Sequence, residues 1–118
     1  NNIDISLAYN DCLDLSYGHY KLKNINLSNC GDKGLSVGEK SSLISDKIKI
    51  NKTDTGIAVK DSSNATIKYL DVKNSTNCIN LYRKKQEFAG AIANLKFINC
   101  HNGKIKSQAG SFINRNTL

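Results

Sequence analysis

The 118-residue chain contains no proline, tryptophan or methionine, and only two of its seventeen basic residues are arginine. Because proline cannot donate a backbone hydrogen bond, its absence suits a backbone that is paired in a continuous ladder. Arginine is the residue that most often makes specific contacts with base edges and binds phosphate groups. Zinc-finger spacing, a recognition-helix pattern and an aromatic-rich RNA motif are also missing. We therefore expect no nucleic-acid partner.

Long apolar runs are missing too. No segment approaches the ~20 apolar residues that a membrane helix needs, and no charged-then-apolar export signal opens the chain. The sequence begins in mid-pattern, with Ile3, Ile5 and Leu7 already alternating with polar residues. We expect no membrane span and a single solenoid domain, residues 1–118, that is a fragment of a longer solenoid.

The charge is strongly one-sided, because 17 basic residues against 10 acidic residues give a formal net charge of +7. One interpretation is a basic surface for an acidic polymer such as a uronate polysaccharide or teichoic acid. The other is a composition rich in Lys, Asn and Ile that reflects an AT-rich genome. The sequence leaves both interpretations open.

A repeat organises the chain. Four copies consist of a small residue followed by an apolar–polar–apolar triplet, and their first residues are Cys12, Gly34, Gly56 and Cys78, which are 22 residues apart. A fifth and poorer copy begins at Gly103, 25 residues further on. This alternation predicts a short strand with one buried face. We call these segments the signature strands.

A second strand precedes each signature strand. Its apolar pairs are Ile3/Ile5, Ile25/Leu27, Ile48/Ile50, Leu70/Val72 and Leu95/Phe97. Polar turns join the two strands, and Asn29, Asn51, Asn74 and Asn99 are predicted to take left-handed backbone geometry there. Strands that recur in one order pair coil on coil, about 4.8 Å apart. The sequence thus predicts an all-β fold, a single-stranded right-handed parallel β-helix of about five coils of ~22 residues.

The four cysteines follow the same repeat. Cys12 and Cys78 hold one repeat position, Cys30 and Cys100 hold another, and each pair is three coils apart. Three coils span about 14 Å, whereas a disulfide needs Cα atoms within about 7 Å. We predict four free, buried cysteines. No metal site is expected, because the chain has no CxxC motif and its two histidines lie far apart in the repeat.

Residues at equal phase stack in columns, and one mixed-charge stripe follows the signature strands. We call it the charged column. Its candidate catalytic residues are Glu39, Asp61 and Arg83, and its candidate substrate-binding residues are Tyr17, Lys40, Lys60, Tyr82 and Lys84. Strand ends and loops are where solenoids usually carry function.

Two interpretations of the charged column compete. Stacked carboxylates ~4.8 Å apart approach the ~5–5.5 Å separation of retaining glycosidases, and Arg83 or a lysine beside a uronate carboxylate suits a lyase. Alternatively, Glu39 and Asp61 form a surface ladder in which neighbouring cations relieve the repulsion between like charges. The expected cations are Lys40, Lys60 and Arg83. The sequence does not decide whether the protein is an enzyme.

A second acidic set consists of Asp11, Asp14 and Asp32. As calcium ligands they need several more oxygens, which Asn10 or Ser36 would supply. As structural residues they are turn formers and solvent-facing strand positions. Calcium is the only cofactor that the sequence suggests.

The segments 10–14 (NDCLD) and 31–34 (GDKG) resemble the pectin-lyase-like superfamily of right-handed β-helices, many of whose members cleave or bind polysaccharides. Polygalacturonases of that superfamily carry NTD, GDD, GHG and RIK on successive coils. Asp11 matches the NTD aspartate and Asp32 matches the first aspartate of GDD. Other residues stand in place of the motif's Asn, Thr, second Asp, His, Arg and Lys, namely Tyr9, Asn10, Lys33, Thr55, Asn80 and Tyr82. The resemblance therefore retains two carboxylates of that set.

A closer likeness covers residues 31–41, 56–62 and 82–88, which are similar to uncharacterised bacterial surface β-helix proteins. The resemblance implies a secreted or cell-surface module that binds carbohydrate or serves in surface display, with a polysaccharide partner. The alternative is a divergent polysaccharide lyase or glycoside hydrolase that acts on an acidic polysaccharide. Exposed strand edges at both ends predict end-to-end self-association.

Overall fold

A computed structural model describes residues 1–115 and confirms an all-β parallel solenoid of about five turns, with no helix in that range. The strands are β1 (Asn2–Ala8), β2 (Leu13–Leu15), β3 (His19–Cys30), β4 (Lys33–Val37), β5 (Ser42–Lys60), β6 (Asn64–Tyr82), β7 (Ile92–Asn99), β8 (Lys104–Ser107) and β9 (Phe112–Arg115). All their pairings are parallel. The right-handed sense of the coil stays a prediction.

The signature strands of the first four coils stack as the repeat predicts. Leu13 pairs with Leu35, Leu35 with Ile57, and Ile57 with Ile79. The fifth copy is one residue out of the predicted alignment, because a register irregularity after Asn77 places Ile105, rather than Lys104, on Ile79. Alternate residues of these strands point inward, and the three middle members of the column are at most 1% exposed. Burying each such side chain contributes roughly 1.5–3 kcal/mol, so stacking is what stabilises a coil.

Each coil has a third strand segment that the sequence indicated only weakly. It lies after the corner that follows the signature strand, and its inward column contains Tyr20, Leu43, Ala65, Ala93 and Ile113. Leu43, Ala65 and Ala93 are fully buried. The small alanines and the polar residues around them weaken the apolar alternation, which explains why this strand is hard to see in the sequence.

One predicted apolar pair, that of the fifth coil, is wrong. Leu95 stacks on Ile67, and Ile98 rather than Leu95 stacks on Leu70. The reason is the length of the insertion. Asn64 pairs with Ile92, an offset of 28, whereas Ser42 pairs with Asn64 at an offset of 22. The inserted loop is therefore six residues long at this point, not the three that the signature strands alone suggest.

One left-handed turn position recurs in every coil. Its residues are Leu7, Asn29, Lys52, Asn74 and His101, with φ between 53° and 62°. The prediction of left-handed geometry is right for Asn29 and Asn74 and wrong for Asn51 and Asn99, which lie within strands β5 and β7. The solenoid imposes this geometry on Leu7 and Lys52 although asparagine adopts it more readily.

The expectation of four free cysteines is wrong. Cys12 is bonded to Cys30 and Cys78 to Cys100, each with a Cα–Cα distance of 5.4 Å, and no cysteine is free. Cysteines at the same repeat position are three coils apart, but each bonded pair combines the two different repeat positions, which are neighbours at one corner. Cys12 opens the signature strand of the first coil, and Cys30 ends the strand that leads to the next coil, so their side chains meet across adjacent coils.

Candidate functional site

The charged column lies at the corner between a signature strand and the third strand. Its backbone continues the ladder: Tyr17 N–H donates to Glu39 O at 2.7 Å, Lys40 N–H to Asp61 O at 2.9 Å, and Asp61 N–H to Tyr82 O at 3.2 Å. Tyr17, Lys40 and Asp61 all have positive φ, so this is a second left-handed corner. The structure thus brings the predicted column together.

Asp61 is fully buried at this corner. Its Oδ1 accepts hydrogen bonds from the backbone N–H groups of Lys84 at 2.7 Å and Lys85 at 3.0 Å. Its Oδ2 has no partner among residues 1–115. The carboxylate therefore anchors the inserted loop, residues 83–91, which we call the corner loop, and solvent does not reach it.

Three more contacts fasten the corner loop. Glu39 forms an ion pair with Lys85. Ser62 exchanges two hydrogen bonds with Ala89, its Oγ accepting at 2.7 Å and its N–H donating at 2.9 Å. The Lys40 ammonium lies 5.9 Å from the centre of the Phe88 ring, a favourable cation–π distance.

The remaining predicted residues surround this corner. Arg83 and Lys84 are exposed, and Arg83 N–H donates to Gln108 Oε1 at 2.8 Å. Lys60 lies against Gly38. Burial raises the pKa of the Tyr82 phenol above its ordinary 10.0, so Tyr82 is neutral near pH 7 and is a poor base.

This geometry favours the ladder interpretation of the charged column. A retaining glycosidase needs two carboxyl groups that both reach the substrate, whereas Asp61 is enclosed and Glu39 is paired with Lys85. The partners differ from those expected, because loop amides and Lys85 hold the carboxylates rather than Lys60 or Arg83.

The second acidic set is organised around a lysine. Lys33 Nζ lies 2.9 Å from Asp32 Oδ2 and 4.0 Å from Asp11 Oδ1. Burial lowers the pKa of Lys33, but the hydrogen bond to Asp32 and the charge of Asp11 outweigh it and raise the pKa overall. Asp14 is exposed on β2. Within residues 1–115 no three His, Cys, Asp or Glu side chains are grouped to hold a metal ion.

A flat outer surface was missed in the sequence. It is formed by the solvent-facing residues of β1, β3, β5, β6 and β7 between the two corners, and we call it the amide face. Its columns are Asn2, Asn24, Lys47, Tyr69 and Phe97; Asp4, Asn26, Lys49, Asp71 and Asn99; and Ser6, Ser28, Asn51 and Lys73. The sequence did contain a signal for this face, namely the polar residues that alternate with the core isoleucines and leucines.

The amide face is open and chemically varied. Tyr69 is 37% exposed and Phe97 55% exposed, and the Lys47 ammonium lies 5.4 Å from the centre of the Tyr69 ring. Two shallow grooves follow it, one of about 270 Å³ between Asp4 and Lys73 and one of about 430 Å³ between Asn2 and Lys49. Such a surface offers hydrogen-bond donors, acceptors and aromatic rings to a long ligand.

No helix in residues 1–115 has the length and hydropathy of a membrane span. No protein-family model, curated protein or solved structure matches the chain. The parallel solenoid is thus shown by the structure, and membership of the pectin-lyase-like superfamily is a proposal.

Proposed function

We propose that the protein is a carbohydrate-binding or surface-display module whose amide face binds a polysaccharide. The observation that carries the proposal is the repetition of amide, ammonium and aromatic side chains in columns on one flat surface. Successive members are about 4.8 Å apart, a spacing of the same order as that of successive sugar rings. A glycan chain along the solenoid axis would meet a polar or aromatic side chain of the same column at each coil.

The side chains suit sugar chemistry. Asparagine amides donate and accept hydrogen bonds, which sugar hydroxyl groups require of a binding site. Tyr69 and Phe97 offer apolar rings to the C–H faces of a pyranose, and aromatic side chains lose little conformational entropy on binding. The Asn24 Nδ2 group donates to Asn2 Oδ1 at 2.9 Å, so part of the amide row is held in place before a ligand arrives.

The charge supports an acidic polysaccharide as the partner. Lys47, Lys49 and Lys73 face the same surface, and Asp71 is engaged by His101 through a 2.7 Å contact between Nε2 and Oδ1. The whole chain carries a formal net charge of +7. A positive surface raises the local concentration and the association rate of a polyanion.

A secreted or cell-surface location belongs to the same proposal. Two disulfides in a chain of this size suit an oxidising compartment and are rare in the cytosol. The parallel solenoid also supports the proposed kinship with the pectin-lyase-like superfamily and with bacterial surface β-helix proteins.

The test is retention on glycans. We would pass the protein over immobilised polygalacturonate, alginate, hyaluronan and neutral glucans at physiological salt. The double variant Lys47→Ala/Tyr69→Ala should lose about tenfold in affinity, equal to about 1.4 kcal/mol. The matched control is Tyr17→Ala/Lys84→Ala on the charged column, which should bind like the wild type.

Three other outcomes have definite meanings. Loss of binding in the control alone would move the site to the charged column. Failure of the wild type to bind any glycan would contradict the proposal. Release of unsaturated products or reducing ends, abolished in Arg83→Ala, would make the protein the divergent lyase or hydrolase of the alternative, because Arg83 is exposed and can reach a substrate.

A further inference from the structure

One groove of the amide face places two lysines on either side of an aspartate. The groove has a volume of about 270 Å³, and its lining includes Lys49, Asn51, Asp71 and Lys73. Asp71 lies directly across from Lys49 on the neighbouring coil, and Lys73 lies across from Asn51. Residues directly across from each other in neighbouring strands are about 4.8 Å apart. A small group bound in this groove would therefore be close to both ammonium groups and to the carboxylate.

The two lysines of the groove are not paired with the aspartate. The Asp71 carboxylate is engaged instead by His101, whose Nε2 lies 2.7 Å from Asp71 Oδ1. Within residues 1–115, no ion pair involves Lys49 or Lys73. Hydrogen bonds between an ammonium group and a carboxylate are about twice as strong as those between neutral groups. Both lysines are exposed and are therefore available to a carboxylate of a ligand.

The backbone holds His101 where its ring reaches Asp71. His101 occupies the left-handed turn position of its coil, with φ 53°, as Asn29 and Asn74 do in theirs. Its N–H donates to Asn99 Oδ1 at 3.1 Å, and Asn99 lies directly across from Asp71. The Asp71 side chain is 13% exposed, and partly buried charges are screened by salt less than exposed ones. The histidine is thus placed to control the charge that Asp71 presents to the groove.

Only His101 is expected to change its charge around this groove between pH 5 and 8. Histidine titrates in that range, whereas lysine and carboxyl groups ordinarily do not. The residue of β7 that lies across from Asp71 is Asn99, which does not titrate. The other charged residues that face the pair, from the groove or from the neighbouring turn, are Lys49 on β5, Lys73 on β6 and Asp4 on β1.

We infer that this groove binds the carboxylate of an acidic sugar through Lys49 and Lys73, and that His101 sets the preference for acidic over neutral glycans. The inference rests on the proposed function of the amide face. When His101 is neutral, the negative charge of Asp71 repels the carboxylate of the ligand. When His101 is protonated, the pair has no net charge and the two lysines attract the ligand unopposed.

The inference fixes the direction of a pH effect. Affinity for an acidic glycan should rise as the pH falls from about 8 to about 5, because protonation of His101 cancels one negative charge. A unit charge about 4.8 Å from the carboxylate of the ligand corresponds to about fourfold in affinity in water. A neutral glycan carries no carboxylate, so its affinity should be the same at both pH values.

The test is titration calorimetry with two matched probes, trigalacturonate and its methyl ester, which is the same sugar chain without charge. Each is titrated into the protein at about pH 5 and about pH 8. The wild type should bind trigalacturonate about fourfold more tightly at the lower pH, and the ester equally at both. The double variant Lys49→Gln/Lys73→Gln should lose the preference for trigalacturonate over the ester.

Two variants separate the histidine from the aspartate. His101→Asn keeps a residue that already occupies this turn position at Asn29 and Asn74, and it should bind trigalacturonate at both pH values as weakly as the wild type does near pH 8. Asp71→Asn removes the repelling charge and should bind tightly at both. The control is His19→Asn, which removes the other of the two histidines, on β3 outside the amide face, and should keep the pH dependence of the wild type.

The outcomes distinguish this inference from the proposed function. If the wild type binds trigalacturonate equally at both pH values, the inference is overturned while carbohydrate binding stands. An unchanged pH dependence in His101→Asn, with circular dichroism like that of the wild type, would also overturn it. Failure of both probes to bind at either pH would contradict the inference and the proposed function together.

Discussion

At the scale of single residues, Asp61 links the sequence repeat to the corner loop, where six residues are inserted. It is buried at the corner, and its Oδ1 accepts two backbone N–H groups of the corner loop. Carboxylate acceptors make hydrogen bonds about twice as strong as neutral ones. The same residue that looked catalytic in the sequence is thus the anchor that allows six extra residues to be accommodated.

We predict that Asp61→Ala destabilises the protein by about 2–3 kcal/mol, because two amide donors lose a charged acceptor and a buried space opens. Asp61→Asn should cost less, since its amide oxygen still accepts. Denaturant unfolding measures the stability. Amide hydrogen exchange at Lys84 and Lys85 measures how well Asp61 protects these two N–H groups. Unchanged exchange in Asp61→Ala would show that the anchor is unimportant.

Alkaline pH should weaken the fold. The pKa of Tyr82 is raised above 10.0 by burial, and that of Lys85 is raised above 10.5 by its hydrogen bond to Glu39. A raised folded-state pKa gives stability that is complete below the unfolded value and is lost as the pH rises through the folded value. We expect the melting temperature to fall above about pH 10, and to fall less steeply in Tyr82→Phe. Parallel curves for the two proteins would contradict this role of Tyr82.

At the scale of strands and turns, each of the two disulfides joins two adjacent coils. Cys12–Cys30 joins the first coil to the second, and Cys78–Cys100 joins the fourth to the fifth. A covalent bond between two coils adds to the stabilisation that stacking gives them. We therefore expect each bond to act mainly on the coils that it joins.

We predict that Cys12→Ser/Cys30→Ser lowers the free energy of unfolding by about 3 kcal/mol, the usual value for closing a loop of this length. Amide exchange should speed up most in β1 and β2, while the central coils stay protected. Cys78→Ser/Cys100→Ser should show the mirror pattern in β7 and β8. Equal loss of protection throughout the chain would contradict this local role.

The sequence predicted the regular part of the fold and missed what depends on irregular geometry. Signature strands from Leu13 to Ile79 stack as their spacing indicates, since a period fixes register. The fifth copy, where the register is irregular, is one residue out of the predicted alignment. The Leu95 pair was wrong because insertion length is not encoded in a period. Cys12 and Cys30 were misjudged because a contact around a corner depends on the bend angle, which the spacing of residues does not specify.

The sequence predicted only part of the candidate site. The residues of the charged column do stack, but the burial of Asp61 and the ion pair of Glu39 with Lys85 depend on where the corner loop folds back. The amide face was overlooked because Asn24, Asn26 and Lys49 look like ordinary solvent-facing strand residues until the coils are stacked. When the coils stack, these single polar residues line up in rows.

At the scale of the whole molecule, the stacking of the coils gives the amide face its length. Its columns run through β1, β3, β5, β6 and β7, so the face crosses all five coils of residues 1–115. In our proposal, a polysaccharide that follows these columns contacts side chains of several coils at the same time.

The most direct measurement of the central claim is an NMR titration of the 13.0 kDa chain with a short acidic oligosaccharide. We predict that the amide shifts that change cluster at residues 24–28, 47–51 and 69–73, in three adjacent rows of the amide face. Shift changes that cluster instead at Tyr17, Glu39 and Arg83, or no changes with any oligosaccharide, would contradict the claim that this face binds carbohydrate.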